Sequence, residues 1–203
     1  MAGRTRELTG TLILRESTGE SFERLQLLSP EEGIQFCLYR RPKRLNTQSR
    51  PDLFDELELF VEQKDGEKGQ FVKELKVNHR RRGIGKSFAA LQSACDFATL
   101  LQKNHPDEIA SAEVHQLLTE ALLAWEQGKR ADVVYFKTLF RYTRLEGYPV
   151  KQDWFERLKA FERREVAPLV NLPSHEVPLD KDQVRHWIEK LHHYVEHYTD
   201  LLI

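Results

Sequence analysis

The sequence predicts an α+β protein in which a run of short strands is followed by an all-helical remainder. Three observations predict this. Up to Asn78 the apolar residues alternate with a period of two, as in half-buried strands. Gly, Pro and Ser clusters cut that stretch into strand-length pieces. From Ser87 onward the apolar residues recur at three- and four-residue spacing, which is the helical period.

Leu8–Glu16 is β-rich and alternating, and Ser17-Thr-Gly-Glu-Ser21 breaks it. Phe22–Ser29 forms a second run, ended by Pro30-Glu-Glu-Gly33, and Ile34–Arg40 a third. A polar stretch from Arg41 to Asp52 precedes Leu53–Gln63; Gly66 and Gly69 mark a turn before Phe71–Val77. Five short strands separated by turn signals point to a small closed sheet or sandwich, and five is the strand count of an OB-fold. The first domain is therefore expected to be an OB-type β-barrel over residues 1–80.

Residues 81–203 are expected to form an all-helical domain. The first helix should bury Phe88, Leu91, Cys95 and Ala98, with Ala94 and Leu101 beside them. Ile109–Gln127 repeats the pattern through Leu117, Leu118, Ala121, Leu122 and Trp125, and stops at Gly128. Ala131–Glu146 presents Val133, Phe136, Leu139 and Phe140, with Gly147 just past its end and Pro149 barring continuation. Asp153–Glu165 carries Trp154, Phe155, Leu158 and Phe161. A loop punctuated by Pro168, Pro173 and Pro178 leads to a last helix near Asp180, which should bury Val184, Trp187, Ile188, Leu191, Val195 and Tyr198. There is no internal repeat.

Composition excludes several classes. With 40% hydrophobic and 31% charged residues the chain fits an ordinary globular protein rather than a disordered tail. No apolar run approaches the ~18–20 residues that span a bilayer. No apolar signal core follows Met1-Ala-Gly-Arg-Thr-Arg-Glu, so no export is expected. Cys37 and Cys95 are far apart and match no metal spacing, which argues against a disulfide framework or a thiolate zinc site and for a reducing cytoplasm.

The net charge of −1 hides an asymmetry. Residues 1–86 hold 17 Lys and Arg against 14 Asp and Glu, a balance of +3, and the rest hold 14 against 18, a balance of −4. Two basic clusters dominate the first part. Arg40, Arg41, Lys43, Arg44 and Arg50 have no acid among them; Lys73, Lys76, Arg80, Arg81, Arg82 and Lys86 have only Glu74. Either cluster alone reads as a solvated charge run. Two of them flanking a five-strand module read as a track for phosphates, bound by counterion release. Alternation in Ile34–Arg40 sets Ile34, Phe36 and Leu38 on one face and Gln35, Cys37 and Tyr39 on the other, so Tyr39 is the candidate for base stacking on a polar face. Phe54, Glu56, Glu58, Phe60 and Glu62 share a parity, and DNA should avoid that acidic wall.

Catalytic motifs are missing. Gly83-Ile-Gly85-Lys86-Ser87 lacks the earlier glycine of a phosphate loop, because position 80 is Arg80. A helix start beside three arginines still suits a backbone phosphate. His186, His192, His193 and His197 gather on the last helix, where His193 and His197 have a zinc-compatible spacing but no third ligand. No nucleophile elbow or Cys–His arrangement occurs. We therefore expect no enzyme activity, no cofactor and no metal.

Several short runs, taken in order, match a known pattern: Gly19-Glu-Ser21, Glu31-Glu-Gly33, Arg40-Arg-Pro-Lys43, Leu57-Glu-Leu59, Glu146-Gly-Tyr148-Pro149 and Val195-Glu-His197. Together they resemble the RecO family of recombinational-repair proteins over most of the chain. The resemblance implies an N-terminal OB-fold, a helical C-terminal domain and a bacterial, nucleoid-associated location. It also implies binding of single- and double-stranded DNA, annealing of complementary strands, and cooperation with RecR in loading RecA onto DNA coated by single-stranded DNA-binding protein (SSB). One departure stands out: many relatives carry a four-Cys zinc module after the Gly-Tyr element, and Val150–Arg157 has no cysteine. The acidic SSB tail, which ends in apolar residues, needs an apolar groove edged by cations; Lys137, Arg141 and Arg144 beside Phe136 and Phe140 are the candidates. The competing readings are a generic OB-type single-strand binder with a helical adaptor, a metal- or nucleotide-dependent enzyme, and a purely structural adaptor.

Overall fold

The computed structural model describes residues 4–42, 50–63, 69–106 and 110–203, with Arg4 described in its backbone only. Lys43 and Arg44, both candidate DNA contacts, lie outside the described residues. The protein is α+β, and its chain divides into two compact units. The first holds the strands through Arg81 together with His105–His115; the second holds Arg82–Asn104 and Gln116–Ile203. The sheet unit thus takes in a segment from the half expected to be purely helical. Ser111 Oγ donates to the Pro30 carbonyl at 3.1 Å, and the His115 ring lies 3.2 Å from Thr11 Oγ1.

Five strands make the sheet: β1 (Arg4–Thr18), β2 (Phe22–Ser29), β3 (Gly33–Arg40), β4 (Glu56–Gln63) and β5 (Gln70–His79). They pair in the order β1-β2-β3-β5-β4, and β4 pairs back onto β1, so the sheet is closed. Every pairing is antiparallel except β3 with β5, which run parallel through Cys37–Gln70 and Leu38–Phe71. Alternate residues fill the interior: Leu8, Leu12, Leu25, Leu27, Cys37, Leu57, Leu59 and Val61. Each large side chain among them contributes roughly 1.5–3 kcal/mol by leaving water. Gly10 allows the close approach of β1 and β2, because a Cβ there would lie 2.6 Å from the Leu28 carbonyl oxygen.

Two local expectations change. Cys37 is 1% exposed and Tyr39 packs against the same interior cluster, so the face of β3 expected to be polar is the inside. Phe36, on the face shared with Ile34 and Leu38, is 42% exposed. The reason is that a small closed sheet has polar ends: Gln35 and Tyr39 carry the inward parity there, and only Cys37 sits at mid-height. Leu53–Asp55 is also not strand. Phe54 is buried with φ 69°, its N–H donates to Leu12 O, and Leu12 N–H donates to Asp55 O. The left-handed backbone costs about 1–3 kcal/mol, offset by burying the ring.

The helices are α1 (Phe88–Lys103), α2 (Ser111–Glu126), α3 (Ala131–Leu145), α4 (Ala160–Asn171) and α5 (Lys181–Tyr198), with a π-helical turn at Lys151–Phe155. Ser87 caps α1 by accepting from the Ala90 N–H. Its buried face is Ala90, Ala94, Phe97, Ala98, Leu100 and Leu101, whereas Phe88 is 81% and Leu91 38% exposed. Ala94, Ala98 and Leu101 are thus buried as expected, but the expected stripe missed Phe97, whose ring meets Tyr142 edge-on at 5.7 Å. The helix expected over Asp153–Glu165 is interrupted. Glu162 bonds back to the Lys159 N–H and restarts a helix at Ala160, which continues past Pro168 to Asn171 and leaves Phe161 65% exposed. Asp180 and Gln183 cap α5 reciprocally, and Val184, Trp187, Leu191 and Val195 are buried as expected, although Tyr198 is 70% exposed. Among the described residues no helix is long and apolar enough to cross a membrane.

Candidate nucleic-acid interface

The inward parity of β2 runs Leu27, Leu25, Glu23, so an acid takes the last interior position at one end of the closed sheet. Glu23 is 2% exposed, and three guanidinium groups surround it. Arg50 Nη2 donates to Glu23 Oε1 at 2.6 Å; Arg41 Nε lies 3.5 Å from the same oxygen, and Arg15 Nε lies 3.9 Å from Oε2. One carboxylate cannot neutralise three cations. Arg15 also donates to the Pro51 carbonyl at 2.5 Å and passes 3.9 Å from Asp52, a carboxylate 79% exposed and therefore largely screened by water. The arginine side chains stay 25–41% exposed. Arg40 is exposed at the end of β3.

Tyr39 stands directly across from Glu23 in the β2–β3 register. Burial raises its hydroxyl pKa; the Glu23 charge adds to this and Arg50 partly offsets it. Its place against the interior cluster corrects the picture of a ring on an open polar face. The exposed aromatic of β3 is Phe36, with the His105 ring 6.1 Å away.

The second basic cluster is arranged differently, because Lys73, Lys76 and Arg80 each meet a carboxylate of their own. Lys73 reaches Glu62 at 2.5 Å, and Lys76 reaches Glu58 at 2.9 Å across the β4–β5 ladder. The acidic face of β4 is therefore covered by lysines of β5 rather than left bare. Lys76, then Asn78, hold the Glu58 carboxyl below the usual carboxylate range. Arg80 bonds to the buried Asp55 at 3.1 Å and to the Arg50 carbonyl at 3.2 Å, which pins the backbone from which Arg50 projects. Burial raises the Asp55 pKa, and a backbone N–H bond from Asp52 and the Arg80 charge pull it back in part. Arg81 is itself buried. Arg82 and Lys86 are exposed but belong to the helical unit.

The helical candidates are likewise placed by the fold. Phe136 and Phe140 are 0% and 5% exposed, stack on each other and meet Trp154 at tilted angles in the core, so they line no open groove. Lys137 donates to the Leu169 carbonyl at 2.6 Å, and burial lowers its pKa; Arg141 pairs with Glu120 at 2.7 Å; Arg144 is exposed. The sequence signal misled because the cations flank a stripe that α3 needs for its own packing. In the Gly83–Ser87 stretch, a Cβ on Gly83 would lie 2.7 Å from Glu126 Cγ, so packing accounts for that glycine. His193 and His197 rings lie 4.1 Å apart, His192 bonds Tyr135 at 3.1 Å, and among the described residues no three His, Cys, Asp or Glu gather as metal ligands. Burial pushes the Cys37 thiol up to about 12.

Sequence reading missed Glu23 and Arg15. The signal for Glu23 was available, namely an acid at the apolar parity of β2. Arg15 had none, since it becomes relevant only when β1 and β2 pair. Comparison with protein-family models and with curated proteins finds no match to this chain.

Proposed function

We propose that this chain is a non-enzymatic DNA-binding recombination mediator of RecO type. In this reading the closed sheet is an OB-type barrel, supported by its five strands and by the order β1-β2-β3-β5-β4 with one parallel pair. The observation that carries the reading is the arginine-rich end of that sheet, where Arg15, Arg41 and Arg50 outnumber the one buried carboxylate between them. A partly exposed set of guanidinium forks suits phosphodiester oxygens, since each fork offers planar paired donors. Annealing then needs only charge neutralisation and juxtaposition of two strands, with no covalent chemistry. RecR, RecA and SSB are the partners this reading implies.

The test is annealing of complementary oligonucleotides with purified protein, with and without SSB. Acceleration in both conditions is expected; acceleration only on bare strands removes the mediator role. A second reading has an observation in its favour. Phe136 and Phe140 are buried and lend no support to an SSB-tail site beside them, which favours a single-stranded nucleic-acid binder with a helical adaptor. Binding without annealing would select it.

A further inference from the structure

We infer that Arg15, Arg41 and Arg50 form a phosphodiester-binding site whose geometry is set by Glu23, a positioning residue that touches no ligand itself. The inference deepens the DNA-binding reading and rests on it. Glu23 is 2% exposed, so a nucleic acid has no access to its carboxylate. Its role is to hold guanidinium groups. It takes a hydrogen bond from Arg50 at 2.6 Å and draws Arg41 to 3.5 Å and Arg15 to 3.9 Å. Each guanidinium has five N–H donors. Arg50 meets Glu23 through Nη2, and 41% of that side chain remains exposed.

The backbone under the site is fixed as well. Arg80 binds the Arg50 carbonyl and Asp55, while Arg15 binds the Pro51 carbonyl. The cations thus come from three stretches that are remote in sequence: the end of β1, the exit of β3 and the segment before β4. A fold that only needed to neutralise Glu23 would require one arginine. Three of them around one carboxylate leave like charges crowded together, an arrangement relieved when an anion binds. A phosphodiester carries one negative charge on two oxygens, which match the paired donors of a guanidinium fork. Because the side chains are already oriented, less rotamer freedom is lost on binding.

Positioning by Glu23 and simple electrostatics give effects of opposite sign. Glu23→Gln adds one unit of positive charge, so a uniform-charge picture expects tighter binding. A positioning role expects weaker binding, by about tenfold for a lost charge-assisted arrangement. The measurement is fluorescence anisotropy of a labelled single-stranded oligothymidylate, with the circular dichroism melt of each variant recorded beside it. Equal or tighter binding by folded E23Q overturns the proposal. If E23Q does not fold, Arg50→Lys decides: it keeps the charge but loses the planar fork, and about fivefold weaker binding is expected. Unchanged affinity in R50K overturns the proposal. Wild-type protein that binds no oligothymidylate removes the DNA-binding reading along with the site. Wild-type binding with unaffected variants removes the site alone.

Discussion

The two basic clusters look alike in sequence and differ in the folded molecule. In the 73–86 cluster, Lys73, Lys76 and Arg80 each face a carboxylate of β4 or of the turn before it. In the 40–50 cluster, Arg41 and Arg50 converge on a single glutamate that they share with Arg15. The number of cations therefore says little about where an anion can bind. What matters is the ratio of cations to acids once the strands have paired, and how deeply the acid is buried.

The largest effect that could break this comparison comes from Glu23→Ala. Removing the buried partner leaves three partly hydrated guanidinium groups without it, and a loss of about 1–3 kcal/mol in unfolding free energy is expected. Urea denaturation measures it. A change of only a few tenths would mean that the arginines are not held by Glu23 at all.

Acid sensitivity should come next. Burial lowers the pKa of His115 in the sheet unit and of His192 in the helical unit, each from an ordinary 6.5. A histidine depressed in the folded state binds fewer protons there than when unfolded. Its contribution is complete above pH 6.5 and is lost as pH falls through that value toward the folded pKa. Carboxylates such as Glu58 and Glu162 are also depressed, but from 4.5, so their loss begins at lower pH. Unfolding midpoints that stay constant from above to well below pH 6.5 would contradict this.

The smallest effect sharpens the contrast. Lys73→Ala with Lys76→Ala removes two exposed, already matched cations, and the salt dependence of single-strand binding should hardly move. Arg41→Ala with Arg50→Ala should reduce the log–log slope by roughly 1.4 units, about 0.7 for each phosphate no longer neutralised. Equal reductions for the two pairs would erase the distinction between the clusters.

The class of the fold and the order of its elements follow from local properties of the chain. Period two up to Asn78, period 3.6 from Ser87, and caps such as Asp180 with Gln183 are set within a few residues of one another, where local physics acts. The two basic runs were equally visible. Alternation could not say which face of β3 is interior, because it defines two faces without choosing between them; burial of Cys37 chose. Nor could helical periodicity say that Phe136 and Phe140 would be core rather than groove, since that depends on Trp154 arriving from beyond the next turn. The candidate site was least legible of all. Arg15, Glu23, Arg41 and Arg50 are brought together only by the register of β1, β2 and β3 and by the pinned segment before β4. Charge cancellation acts through space rather than along the chain, so which cations remain in excess was settled only when the strands closed on one another.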